Sequence, residues 1–92
     1  MEMSEVPGSN KVIDCDLAML SMGFVHCVHE GLVNELGLEL DGRGNIKVND
    51  DHQSTNAKVF ASGDAAMGAS LVVRAVDDAR LMAERVHQFL NV

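Results

Sequence analysis

Hydrophobic positions recur with a helical period most clearly at the C-terminal end of the chain. Val72, Ala75, Val76, Ala79, Met82, Ala83, Val86, Phe89 and Leu90 fall on one face, and Arg74, Asp77, Asp78, Arg80, Glu84 and Arg85 fall on the other. This pattern predicts a helix from Ser70, a good N-cap residue, to about Leu90, with Arg74 and Asp78 placed as an i,i+4 pair. Upstream the period changes. Leu17 to Met22 is apolar except for Ser21 and is bounded by Asp16 and Gly23. A run of that length predicts a strand buried on both faces, although it lacks β-branched residues and propensity alone leaves helix open. Phe24 to His29 reads as a loop, and Glu30 to Leu36 as a short helix with Leu32, Val33 and Leu36 on one side and Gly37 as its stop. Leu38-Glu39-Leu40 and Ile46-Lys47-Val48 alternate around the turn residues Asp41 to Asn45, which predicts a β-hairpin. Asn49 to Asn56 is polar and reads as a loop. Lys58 to Ser62 is a short apolar strand closed by Gly63 and Asp64, and Ala65 to Ala69 is a linker of mostly small residues.

Two buried strands separated by other elements suggest parallel pairing in an α/β layer. They are too few for a doubly wound sheet, so the chain reads as incomplete. The first ten residues hold the only proline, Pro7, beside Gly8 and Ser9, and read as an extended arm.

Composition narrows the picture. Ninety-two residues make at most one small domain, and 47% hydrophobic content is enough for a core. With 3% aromatics and no Trp or Tyr, that core must be aliphatic. The net charge of −7 argues against nucleic acid and against an anionic membrane surface, because both need a basic patch. No apolar stretch approaches the roughly 20 residues of a membrane span, and the acidic N-terminus is not a signal peptide. The cysteines Cys15 and Cys27 lack CxxC spacing and read as two reduced, partly buried thiols of a cytoplasmic protein. His26, Cys27 and His29 match no standard zinc spacing and read as loop residues, so no metal site is expected.

The chemistry gathers at Gly63-Asp64. An apolar strand carries the chain to the carboxyl edge of a sheet, where ligands bind in open α/β folds. Gly63 leaves room for a ligand to touch the backbone, and Asp64 offers a carboxylate to hydroxyl groups. A strand-to-turn exit, with Asp64 accepting from nearby backbone N–H groups, is the competing structural reading.

Thr55 to Ala65 resembles the second FAD fingerprint of flavoproteins with two dinucleotide domains: a Thr, a spacer, apolar residues with an aromatic, a small residue, then Gly-Asp. The order and spacing of Glu5 to Ser9, Asp16 to Phe24, Leu36 to Asn45, and Gly68-Ala69-Ser70-Leu71-Val72-Val73 extend the likeness over almost the whole chain. Together they resemble the C-terminal part of the small subunit of NADPH-dependent glutamate synthase and its FAD-dependent relatives. The resemblance implies a partial FAD-binding, Rossmann-like α/β domain with short parallel strands, a hairpin and one long C-terminal helix. It implies that Asp64, after Gly63, contacts the FAD ribityl chain. It further implies that Ser70, Leu71 and Val72 present helix N-terminal N–H groups to the flavin. In that family NADPH delivers hydride to FAD, and electrons pass to a large subunit that makes glutamate.

The chain also departs from the family. It has no Gly-x-Gly-x-x-Gly turn and no cysteine clusters. NADPH and iron–sulfur clusters are therefore expected to be held by parts outside these residues, and no catalytic residue is assigned within them. The expected partners are the remaining part of its own subunit and the large subunit. A homodimer of the segment is expected if it stands alone. Two alternatives stay open: a subunit of another FAD-dependent NAD(P)H oxidoreductase, resembling dihydropyrimidine dehydrogenase, and a non-catalytic interaction module that kept the fold.

Overall fold

The computed structural model describes residues 3–91. Three helices carry the regular structure: α1 (Leu32–Leu36), α2 (Asp64–Met67) and α3 (Val72–Leu90). Helix α1 starts two residues later than its sequence suggests, because Gly31 takes φ 95°, ψ −120° and stands outside the helix. Gly37 ends it as expected, in the left-handed conformation (φ 63°, ψ 35°) with its N–H on the Asn34 carbonyl. The Leu38 N–H returns to the Val33 carbonyl and brings Leu38 into the core. Only Val33 of the three expected apolar positions is buried, since Leu32 and Leu36 face outward.

The expected hairpin forms. Leu40 pairs antiparallel with Ile46, and the Lys47 N–H donates to the Glu39 carbonyl at 2.9 Å. Asp41 closes the turn with its own side chain. Its Oδ1 accepts from the Arg43 and Asn45 N–H groups at 2.8 and 3.0 Å, and these donors hold its carboxyl below the usual carboxylate range.

A second hairpin replaces part of the expected loop at Asn49 to Asn56. Gln53 pairs antiparallel with Phe60, the Ser54 N–H donates to the Val59 carbonyl, and the Ala61 N–H donates to the His52 carbonyl. Lys58 to Ser62 is therefore an antiparallel arm, and no parallel pair occurs among the described residues. The expectation of short parallel strands is corrected here: the nearest available edge lies in the chain just upstream, nine or fewer positions away in sequence, and it fills the ladder.

Leu17 to Met22 departs further from expectation. No described residue pairs with it, and Leu17, Met19, Leu20 and Met22 are exposed by 73 to 89%. Burial on both faces depends on neighbouring strands and on layers packed over each face of their sheet, and the described residues provide neither for this run. The radius of gyration is 18.2 Å, against about 12 Å for a compact chain of this length. Cys15 lies just before Leu17 and is exposed, which corrects the reading of a partly buried thiol; Cys27 is half-buried.

Helix α3 has the expected length, but Leu71 holds its N-cap position and no side chain caps it. Ser70 is therefore not the cap. Met82 and Val86 are half-buried, while Val76 and Phe89 stay about half exposed, so the apolar stripe is only partly covered. The core is small and aliphatic: Val33, Leu38, Ile46 and Ala61, flanked by Cys27, Leu40, Val48 and Val59.

Candidate functional site

The arm ending at Ala61 leads into Gly63, which takes φ 62°, ψ −143°. That conformation lies close to a region reserved for glycine, so the turn depends on the absent side chain. The chain then folds into the single turn of α2, where the Ala66 and Met67 N–H groups return to the Gly63 carbonyl. The Ala65 carbonyl accepts from the Ile46 N–H at 2.8 Å and fixes this turn against the first hairpin.

Asp64 takes no part in these contacts: it is exposed, and its carboxylate makes no hydrogen bond with any described residue. A plain turn-closing Asp would accept from neighbouring N–H groups, as Asp41 does.

A groove of about 440 Å³ opens beside Asp64. Gly63, Asp64, Ser70 and Val72 line it together with Ser62 and the Ala75–Val76–Ala79 face of α3. Leu71 does not; it sits at the cap position, 66% exposed. Four of the five residues expected at a cofactor site thus converge from two separate elements. At the start of α3 the Arg74 and Ala75 N–H groups already bond the Leu71 carbonyl, whereas those of Val72 and Val73 have no acceptor among the described residues. Asp64 also lines a smaller groove of about 330 Å³, together with Phe24, His26, Cys27, Ala65 and Ala69.

Sequence reasoning missed two residues of this site. Asp78 accepts the Gly63 N–H on Oδ2 at 2.8 Å and the His52 Nε2–H on Oδ1 at 2.7 Å. These bonds, the His52 one foremost, hold the Asp78 carboxyl below the usual carboxylate range. The expected Arg74–Asp78 pair is absent, because both Asp78 oxygens are engaged inward. One signal was available: Asp78 stands three residues after Ala75 and four before Met82, on the edge of the apolar stripe. His52 had none beyond its type. It adopts φ 63°, and its other ring nitrogen, Nδ1, is buried without a partner.

Two of the other imidazoles, those of His26 and His29, stack on each other with centroids 4.1 Å apart. His26 Nδ1–H donates to the Cys27 carbonyl and His29 Nε2–H to the Gly44 carbonyl. No group of three potential metal ligands occurs among the described residues.

Comparison with known proteins assigns the sequence to a family. The family model of pyridine nucleotide-disulphide oxidoreductase matches residues 3–79. The chain belongs to this family. Members of the pyridine nucleotide-disulphide oxidoreductase family are built on FAD- and NAD-binding Rossmann-like domains. The small chain of NADPH-dependent glutamate synthase from Mycobacterium tuberculosis is 37% identical over 86 residues, 94% of this chain and 18% of that protein. The NADH-dependent glutamate synthase of Saccharomyces cerevisiae is 37% identical over 92 residues, 97% of this chain and 4% of that protein. A dihydrolipoyl dehydrogenase of Manduca sexta is 29% identical over 79 residues, 86% of this chain and 16% of that protein. The chain thus spans less than a fifth of the length of these relatives. No solved structure gives a significant match. No helix among the described residues is long and apolar enough to cross a membrane.

Proposed function

We propose that this chain is the C-terminal, FAD-contacting segment of a glutamate synthase small subunit, a cytoplasmic protein passing electrons from NADPH by way of FAD. The observation that carries the reading is the convergence of Gly63, Asp64, Ser70 and Val72 on one groove, with the Asp64 carboxylate unbonded. The donor and acceptor set suits the cofactor. Asp64 would accept from ribityl hydroxyls, Gly63 would let the cofactor approach the backbone, and the unbonded N–H groups of Val72 and Val73 would face a flavin carbonyl. Bound there, FAD would supply the capacity to take up hydride from a reduced pyridine nucleotide.

Nothing within these residues moves a proton or forms a bond to substrate in this reading; their work is to bind and orient. NADPH and iron–sulfur clusters would be held elsewhere in the subunit, and the large subunit would receive the electrons. The exposed run Leu17 to Met22 would pair with the sheet of the rest of the subunit. On its own the segment would be inactive, and the same bare strand would favour a homodimer. The likeness to dihydrolipoyl dehydrogenase supports a second reading, another FAD-dependent oxidoreductase that uses the same groove.

The test is Asp64→Ala in the full subunit, with FAD retention after gel filtration and the melting temperature of the apo form measured together. Loss of two charge-assisted bonds, each about 1.5–3 kcal/mol, should weaken FAD by about two to four powers of ten while leaving the melt unchanged. A mutant that keeps its FAD but melts early would reduce Gly63-Asp64 to a turn and overturn the proposal.

A further inference from the structure

Gly63 and Asp64, two of the proposed flavin contacts, sit on a turn whose position is set from outside it. Gly63 occupies a conformation with little intrinsic preference, and Asp64 follows it directly. Two anchors fix the turn. The Ala65 carbonyl is held by the first hairpin, and the Gly63 N–H is held by Asp78 from α3. Asp78 is itself held by His52, which projects from the second hairpin, and both side chains are more than four-fifths buried. The chain His52–Asp78–Gly63 therefore links the second hairpin, α3 and the turn through short hydrogen bonds, and it touches both walls of the groove.

From this geometry we infer that Asp78 is a positioning residue for the flavin, with His52 orienting it. One carboxylate oxygen fixes the Gly63 amide and thereby the direction of the Asp64 side chain. The other is kept from rotating by the imidazole. The same contact sets the spacing between Asp64 and the start of α3, because Asp78 lies on α3 only six residues beyond Val72. The role rests on the flavin reading above, but it involves residues that make no contact with the cofactor in that reading.

Three variants of the full subunit test it: Asp78→Ala, His52→Ala and Asp78→Asn, with Asp64→Ala as reference. Apo protein is titrated with FAD at a temperature where each variant is fully folded. In parallel, the Gly63 amide proton is followed by NMR in the 92-residue chain. Asp78→Ala should weaken FAD about tenfold or more, and His52→Ala about threefold. Asp78→Asn keeps an acceptor for Gly63 and should stay within about twofold of the native affinity. The Gly63 amide signal should shift upfield in Asp78→Ala and hold its place in Asp78→Asn. A purely structural Asp78 would lower the melting temperature without changing the affinity of the folded protein. Unchanged affinity in Asp78→Ala, or in His52→Ala should Asp78→Ala not fold, overturns the inference. If Asp64→Ala weakens FAD and Asp78→Ala does not, only the positioning role falls. If Asp64→Ala has no effect, the flavin reading falls first.

Discussion

Replacing Gly63 by alanine should destabilise the chain for a conformational reason and not a steric one. Gly63 stands at φ 62°, ψ −143°, where a β-carbon meets its own backbone. A side chain held there costs about 1–3 kcal/mol. Alanine also restricts the unfolded chain, which returns about 0.4–1 kcal/mol. The expected net loss is therefore about 1.3 kcal/mol at the midpoints of these ranges and about 2.6 kcal/mol at most, a factor of roughly 10 in the ratio of folded to unfolded protein at the midpoint. The surroundings add little, since a β-carbon built on Gly63 lies 3.5 Å from the Ala75 β-carbon, an ordinary contact. Urea denaturation followed by far-ultraviolet circular dichroism reads the change, because α3 dominates the signal. The double variant Gly63→Ala/Ala75→Gly separates the two causes. Removing the neighbouring methyl should restore nothing beyond the separate effect of Ala75→Gly, so the two changes should add. Recovery of stability in the double variant would show that crowding, not backbone conformation, carries the cost.

Acid should weaken the fold through Asp78. Its carboxyl titrates below its ordinary value in the folded state, so its contribution is fully present above the unfolded value and is lost as pH falls through the folded one. Urea midpoints should drop below about pH 4, and Asp78→Asn should flatten that dependence; equal slopes for both proteins would refute the assignment. The two thiols should separate kinetically: exposed Cys15 should react with a disulfide reagent at the rate of a free thiol, and half-buried Cys27, packed against the core with Sγ 4.0 Å from the Ala65 carbonyl, should lag. A single fast phase for both would show that Cys27 is not held there.

The parts of the fold that were legible in sequence are those decided within a few residues. Gly37 ends α1 through its own backbone angles, Asp41 closes its hairpin with its own carboxylate, and α3 follows its apolar period over nineteen residues. Leu17 to Met22 misled because an apolar run states that a segment suits burial, not that a covering sheet is at hand. The second hairpin was hidden because Asn49 to Asn56 is polar on both faces and pairs through its backbone. Ser70 has the right chemistry for a cap, but the chain turns helical one residue after Leu71. Within the site, Gly63 and Asp64 were legible as a motif. Asp78 was legible only as lying on the edge of the apolar stripe, because its inward turn depends on His52, 26 residues away.

That separation orders the events of folding. Both hairpins close between residues less than ten positions apart, and such loops form within about 1–10 μs. The contact between His52 and Asp78 must bring together a span several times longer, which costs more chain entropy and is made later. The Gly63 amide gains its acceptor only at that docking step. Substitutions at His52 or Asp78 should therefore speed unfolding while leaving the folding rate nearly unchanged, whereas weakening the turn at Asp41 should slow folding itself.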